Sequence, residues 1–411
     1  MSNQPYWDAD HLEEVVSQRA KILGPSVWAA ATPERGPVIS FAGGLPDIPS
    51  LPGDLLLKAA RTVIDREQKE ALEYNGTYGP MPLRTALAER STRIEGIAVS
   101  VDQIMVCSGS AHGIGLMCET LLNEGDTVIC ESPNFPGSMR TMRSFGAELV
   151  AVDMDDEGLR TDLLEDAMKK LRDEGKRAKF IYCIPTHQNP AGVTLPRARR
   201  ERVVELAREY NTFILEDDAY CELWFDGPPP PSLFALSGGD HGVKISSFSK
   251  VLATGLRMGW VMGPTALVNR MSATRFDMGS SPFQGRIIAE TIRNGDLDRH
   301  VERLRGIYKR KLNRMEDALG RYCSEYTTYS KPLGGFFLWL HLRPGIGSRD
   351  VQQAAAERGV IIGQGPQFFA DGKATNHVRL AFSYCSMEDI EPGIHKLSEA
   401  IADVAARTPA K

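Results

Sequence analysis

Lys244-Ile245-Ser246-Ser247-Phe248-Ser249-Lys250-Val251-Leu252-Ala253-Thr254-Gly255-Leu256-Arg257-Met258-Gly259-Trp260 is the stretch around which the chain is organised. A short β-branched run enters it and three serines crowd a single lysine. A glycine-containing loop with Arg257 then leads to a second strand-like run, Trp260-Val261-Met262-Gly263. Phe248, Leu252 and Leu256 flank the lysine with apolar surface. Burial beside apolar groups lowers a lysine's pKa, and a neutral amine attacks carbonyl carbon. Ser247, Ser249 and Arg257 are donors of the kind that gather round a phosphate, the guanidinium through two hydrogen bonds. Taken alone, the stretch is either a solvated Ser/Lys turn or a Schiff-base lysine beside a phosphate site. The second reading suggests pyridoxal 5'-phosphate.

Working outward, 411 residues exceed one small core and accommodate two domains. A hydrophobic content of 42% and a charged content of 25% are ordinary for a soluble globular enzyme. A net charge of −5 and a pI near 6.0 give no support for a general nucleic-acid surface or an anionic-membrane surface. The basic cluster Arg197, Arg199, Arg200 and Arg202, interleaved with Glu201 and Glu205, reads as a solvated helix face. The seven cysteines are scattered, odd in number and without a CxxC pair, so neither a zinc site nor a disulfide framework is expected. Buried thiols in a reducing compartment fit best. Met1 to Asp10 is polar, unlike a signal peptide, and no run of about 18 apolar residues exists to span a membrane. The expected location is the cytoplasm.

Residues 8–31 pattern as a helix leading into an arm, and Val38–Phe41 as a strand entering the turn-rich segment Ala42-Gly43-Gly44-Leu45-Pro46-Asp47. Two adjacent glycines there allow close backbone approach, or make a plain loop. Leu55–Leu72 is an amphipathic helix, followed by the loop Glu73-Tyr74-Asn75-Gly76-Thr77-Tyr78-Gly79-Pro80 and helical periodicity over Leu83–Arg93. From about residue 100, short β-branched runs alternate with helical patterns. Strands are expected at Gln103–Cys107, Thr127–Cys130, Leu149–Val152, Phe180–Ile184, Phe213–Leu215, Val243–Ser246 and Trp260–Met262. This alternation predicts an α/β fold with a mostly parallel sheet covered on both faces. Beyond about 284 a long helical pattern, three strand runs and a final helix predict a smaller α+β domain. The expected division is 1–50 as an N-terminal arm joining the small domain, 51–285 as the large domain, and 286–411 as the small domain.

Ligands on such sheets bind past the carboxyl ends of the strands, where this sequence concentrates its chemistry. Ser108-Gly109-Ser110-Ala111-His112-Gly113 is a small-residue turn opening a helix, a plain turn or an anion site. Phe135, in Ser132-Pro133-Asn134-Phe135-Pro136, either packs in the core or lies on a cofactor ring. Asn189, in Gln188-Asn189-Pro190-Ala191-Gly192, is a turn residue or a donor to a cofactor oxygen. Glu216-Asp217-Asp218-Ala219-Tyr220 closes an apolar strand with three carboxylates, suited to a metal or to a pyridine nitrogen kept protonated so that the ring draws electrons. Arg379, in Val378-Arg379-Leu380, is a buried ion-pair partner or a clamp for a substrate carboxylate.

Together, in this order, these segments resemble the fold type I pyridoxal-phosphate enzymes, specifically the class I/II aminotransferase family and its aromatic, α-aminoadipate and kynurenine aminotransferase-like members. The resemblance covers nearly the whole chain. It rests on Ser-Phe-Ser-Lys250 through Trp260, Asn189-Pro190 with Gly192, Asp217 with Tyr220, and Arg379. It implies that Lys250 holds the cofactor and shuttles a proton between substrate Cα and cofactor C4′. Asp217 would pair with the pyridine nitrogen, Asn189 and Tyr220 with the ring oxygen, and Phe135 would stack on the ring. Ser110, Ala111, His112, Ser247, Ser249 and Arg257 would surround the phosphate. Tyr74 would reach the neighbouring subunit's cofactor in a homodimer with shared sites. Arg379, Gly43, Gly44 and Asn189 would meet the substrate. The sequence departs from the family pattern at Ala111-His112, at Phe135 in place of a frequent tyrosine, and at Thr254 in place of a frequent proline. Transamination between an amino acid and a 2-oxo acid is the implied reaction. A PLP-dependent elimination or replacement, or C–C bond formation, is the alternative on the same scaffold. Some relatives are effector-binding halves of transcription regulators, but here the resemblance starts within about the first forty residues, so no DNA-binding domain is expected.

Overall fold

The computed structural model describes residues 9–23, 38–373 and 375–407. Its centre is an eight-stranded sheet. In spatial order the strands are Ile104–Cys107, Gly259–Met262, Gly242–Ser247, Phe213–Asp217, Ala178–Cys183, Thr127–Ser132, Glu148–Asp155 and Gly158–Leu159. Gly259–Met262 runs antiparallel to both neighbours and Gly158–Leu159 antiparallel to Glu148–Asp155, while the other pairings are parallel. The α/β architecture with a mostly parallel sheet therefore stands.

Side-chain alternation explains why the central runs are apolar at successive positions. Val128, Cys130, Phe180 and Tyr182 enter one core with the helices Ser110–Leu121 and Pro136–Ser144. Ile129, Ile181 and Cys183 enter a second core with the helices Thr161–Asp173 and Arg197–Glu209. Successive residues of a strand face opposite ways, so a sheet covered on both sides demands apolar residues at both parities.

A second assembly follows the helix Asp296–Tyr322, whose 27 residues carry the expected apolar stripe through Val301, Leu304, Tyr308, Leu312, Met315 and Leu319. It holds a four-stranded antiparallel sheet in the order Thr327–Thr328, Phe337–Leu342, His377–Ala381, Gly363–Gln364, and the helix Met387–Arg407. Ile39–Ser40 pairs in parallel with Val360–Ile361, and the Ala381 N–H donates to the Phe41 carbonyl at 2.7 Å. Residues 39–41 are thus tied to this second assembly, whereas the helix Gln18–Leu23 packs against the helix Pro136–Ser144, with Arg19 3.8 Å from the Phe145 ring centre.

Three expectations change in detail. The helix over 8–31 is two short helices within its described part, Ala9–Val15 and Gln18–Leu23, with Ser17 Oγ accepting from Ala20 N at 3.3 Å; residues 8 and 24–31 lie outside the described residues. Leu55–Leu72 resolves into Gly53–Glu67 and a tighter turn at Gln68–Ala71, separated by Gln68 at φ 37°. Arg200 does not lie on a solvated face. It is 1% exposed and donates to the Leu195 and Pro185 carbonyls and to Thr186 Oγ1. Its guanidinium stitches the loop after strand Ala178–Cys183 to the following helix. Among the described residues no helix is long and apolar enough to cross a membrane, and no group of three or more residues is placed to hold a metal.

Candidate active site

Strand Gly242–Ser247 delivers Lys250. The Phe248 N–H donates to the Met258 carbonyl at 3.0 Å and the Phe248 carbonyl receives Leu252 N–H at 2.8 Å, so the loop folds back on the antiparallel neighbour. Phe248 anchors it, fully buried with its ring 4.7 Å from Trp260. Lys250 Nζ donates to the Gly44 carbonyl at 2.7 Å. Burial pushes the Lys250 amine down to about 8; Arg379 and Arg257 add to the fall and Asp217 opposes it.

Asp217 ends the neighbouring strand at 6% exposure. Its Oδ2 accepts from the Tyr182 hydroxyl at 2.8 Å, while its Oδ1, buried, has no partner among the described residues. Burial raises this carboxyl to about 6, against the lowering effect of the Tyr182 bond. The other two carboxylates of the run diverge from it. Glu216 Oε2 accepts from Phe234 N at 3.1 Å, and Asp218 pairs with Lys244 at 2.5 Å. This divergence removes the metal reading of the triplet. Behind them a cavity of about 30 Å³, lined by Asp218, Lys244, Ser247 and Trp260, has room for a water molecule and not for a cofactor. Tyr220 is buried, edge-on to Phe336 and Phe337 at 5.4 and 5.5 Å, and its hydroxyl makes no hydrogen bond among the described residues.

A cradle of backbone forms beside the lysine. The helix Ser110–Leu121 opens after Gly109 at φ 89°; His112 N–H turns back to the Gly109 carbonyl at 3.1 Å, and the Ser110 and Ala111 N–H groups ahead of it have no helical carbonyl to bond. A Cβ on Gly109 would lie 3.1 Å from Arg257 Nη2, and one on Gly259 would lie 3.0 Å from Gly109 Cα. The glycines therefore let the Arg257 segment close onto the helix start. Arg257 itself sits at φ 48°, a left-handed conformation unusual for a side-chain-bearing residue. Ser247 Oγ lies 3.0 Å from Ser249 Oγ and accepts from Ser249 N at 3.1 Å. His112 Nδ1 accepts from Ser108 N at 3.1 Å, so its ring closes the turn.

Arg379 donates from Nη1 to Asn189 Oδ1 at 2.7 Å and from Nη2 to the Ala42 carbonyl. Its guanidinium lies 4.4 Å from the Phe337 ring centre and 4.7 Å from that of Phe368. It has no carboxylate partner among the described residues, and burial lowers it to about 10. Gly44 meets Phe337 so closely that a Cβ would lie 2.6 Å from Cζ. Phe135 folds its half-buried ring over Gly137, whose Cβ would lie 2.7 Å from Cε1. Tyr74 stands apart, 82% exposed. Residues that sequence reasoning passed over include Tyr182, Phe337, Phe368 and Glu131. Glu131 Oε2 accepts from Ile184 N at 3.0 Å and from Gln188 Nε2 at 3.3 Å, and Gln188 Nε2 also bonds the Pro133 carbonyl at 2.9 Å, joining the Asn189 and Phe135 loops.

The family profile described as aminotransferase class I and II matches residues 39–397. The chain belongs to the class I and II aminotransferase family. It is 34% identical over 372 residues to aromatic-amino-acid aminotransferase 1 of Thermococcus litoralis, covering 90% of this chain and 89% of that one. The multiple substrate aminotransferase of Thermococcus profundus superposes with a TM-score of 0.92 at 33% identity, over 97% of this chain and 100% of that one. The α-aminoadipate aminotransferase LysN of Thermus thermophilus, solved with N-(5'-phosphopyridoxyl)-L-leucine, superposes with a TM-score of 0.88 at 29% identity, over 97% and 100%. The chain is accordingly a pyridoxal-phosphate-dependent aminotransferase of fold type I. The aminotransferase's own residues fit that cofactor. A buried carboxylate oxygen awaits a donor, a helix start and Arg257 await an anion, and a lysine with a depressed pKa lies near both Asp217 and Arg257.

Proposed function

We propose that Lys250 is the covalent attachment point of the cofactor and that the residues around it carry out transamination between an amino acid and a 2-oxo acid. The observation that carries this reading is the partnerless Asp217 Oδ1, buried near the Lys250 amine. A buried acceptor without a donor is costly, and a protonated ring nitrogen satisfies it. Bound pyridoxal phosphate supplies an electrophilic carbon and an electron-withdrawing ring. Asp217 holds the proton on the ring nitrogen. Asn189 and Tyr220 face the ring oxygen and Phe135 covers the ring. Ser110, the Ala111 backbone, Ser247, Ser249 and Arg257 hold the phosphate, with His112 fixing the turn that presents them. With the cofactor bound, the Lys250 amine would be the base placed to move a proton between substrate Cα and cofactor C4′. Its lowered pKa keeps a neutral fraction available near neutral pH. Arg379 grips the substrate α-carboxylate beside Gly43 and Gly44. Phe337 and Phe368 exclude water from that pairing and so strengthen it.

A second copy of the chain completes the site in this reading. Leu72, Tyr74, Phe276 and Met278 are 69%, 82%, 89% and 56% exposed. Their two loops touch, since a Cβ on Gly279 would lie 2.1 Å from the Gly76 carbonyl oxygen. An apolar ridge of this kind suits burial in a homodimer, with Tyr74 reaching the partner's phosphate. The seven free cysteines support the cytoplasm as the location. We assign 51–285 to the large domain and 286–411, joined by residues 39–41, to the small one; the helix Gln18–Leu23, expected with the small domain, lies against the large one.

The test is the half-reaction. Purified holoenzyme mixed with single amino acids converts its cofactor to the pyridoxamine form. No pyridoxamine from any donor would overturn the reading. Sedimentation of the holoenzyme as a monomer at working concentration would overturn the shared site.

A further inference from the structure

Tyr182 is fully buried in the middle of the sheet, in a run that reads as core. Its hydroxyl lies 2.8 Å from Asp217 Oδ2 and 2.7 Å from Ser138 Oγ. Ser138 comes from the first turn of the helix Pro136–Ser144, directly after the Phe135 loop, and is 1% exposed. A hydroxyl has one proton to give, and an ionised carboxylate only accepts. Tyr182 therefore donates to Asp217, and Ser138 donates to the Tyr182 oxygen. The tyrosine proton meets one oxygen of Asp217, the serine proton backs the tyrosine, and the other carboxylate oxygen is left for the cofactor.

We infer that Tyr182 is a positioning residue, backed by Ser138, that orients the Asp217 carboxylate and sets how far its Oδ1 shares a proton with the cofactor's ring nitrogen. This inference rests on the proposed role of Asp217. Five other charged or titratable groups face Asp217: Asp218 and Tyr220 from the following loop, Lys250 from the Schiff-base loop, Glu131 from strand Thr127–Ser132 and Cys183 from the end of strand Ala178–Cys183. Asp218 and Glu131 make the carboxylate more basic and Lys250 makes it less so. Tyr182 and Ser138 give the carboxylate its only hydrogen-bonding support among the described residues, through Oδ2. Without the Tyr182 bond the carboxylate becomes more basic and draws the shared proton away from the ring. A ring with less positive charge holds the neighbouring proton on the lysine nitrogen more firmly.

The test uses holoenzyme loaded with pyridoxal phosphate labelled with ¹⁵N in the ring. Tyr182→Phe keeps the ring that fills the core and removes only the hydroxyl. The expected result is a ring-nitrogen resonance displaced toward that of unprotonated pyridine. The pH midpoint of the cofactor's visible band should rise by about one unit, the size of one charge-assisted hydrogen bond. Turnover should fall about tenfold with little change in KM. Ser138→Ala should move the same resonance and midpoint in the same direction by less, and it serves if the tyrosine variant fails to fold. Wild-type protein that takes up no cofactor would overturn the proposed function beneath the inference. A wild type that loads normally, with resonance and midpoint unmoved in both variants, would overturn the inference alone.

Discussion

The Lys250 amine rests on the carbonyl oxygen of Gly44, 2.7 Å away across 206 positions of sequence. Two residues earlier the Ala42 carbonyl receives Arg379. One short stretch of backbone, tied to the second sheet through Phe41, thus holds both Lys250 and Arg379, the proposed attachment point and the proposed carboxylate clamp.

Removal of the amine tests the covalent role first. Lys250→Ala should show no visible absorption band after dialysis, and an unchanged band would refute the attachment. In the wild-type apoenzyme the pH dependence is also fixed in sign. Only the neutral amine reacts, so cofactor uptake should be slow in acid and quicken as pH rises, with a midpoint near 8. Stopped-flow measurement of the rising visible band across pH 6 to 10 checks this.

Asp217→Ala should lower kcat by about 100-fold or more, in the range seen when a preorganised electrostatic partner of a reacting group is lost. The Asp217 variant should also release cofactor faster on dilution. Single-turnover absorbance traces separate the two effects. A variant that turned over normally would remove Asp217 from the ring nitrogen.

For Arg379→Ala the expected change falls on substrate. Losing a buried charged partner costs about 2–5 kcal/mol, which corresponds to a rise in KM of roughly 30-fold to several thousandfold. Cofactor occupancy should stay at the wild-type level. Unaltered affinity for amino acids would exclude Arg379 from the clamp.

Gly44→Ala should destabilise the protein by about 1–3 kcal/mol, because the new methyl would press on Phe337, which is itself packed beneath Arg379 and Tyr220. Gly43→Ala is the matched comparison, since its Cβ would meet only Leu45 at 3.6 Å. Thermal melts of the two variants should differ by several degrees. Equal melting temperatures would show that Phe337 gives way freely.

The residues themselves determined the α/β class, the strand and helix order, and the segments that carry the chemistry. These are local properties. A strand buried on both faces is apolar over successive positions, and Asp217 at the last rung, with Asn189 and Lys250 beyond the strand ends, stands where the apolar run gives way. Only the tertiary structure decided which side chains meet. Tyr182 reads as one more core aromatic until the fold sets it under Asp217, 35 positions away. Arg200 reads as a surface charge until four acceptors close round it. Phe337 and Phe368 come to flank the Arg379 guanidinium only when the small sheet lies against the loop at Ala42. The physical reason is the range of the interactions. Periodicity is set within a few residues, whereas a hydrogen bond or a buried charge is satisfied by whatever the folded chain brings to within about 3 Å, and sequence distance carries no record of that approach.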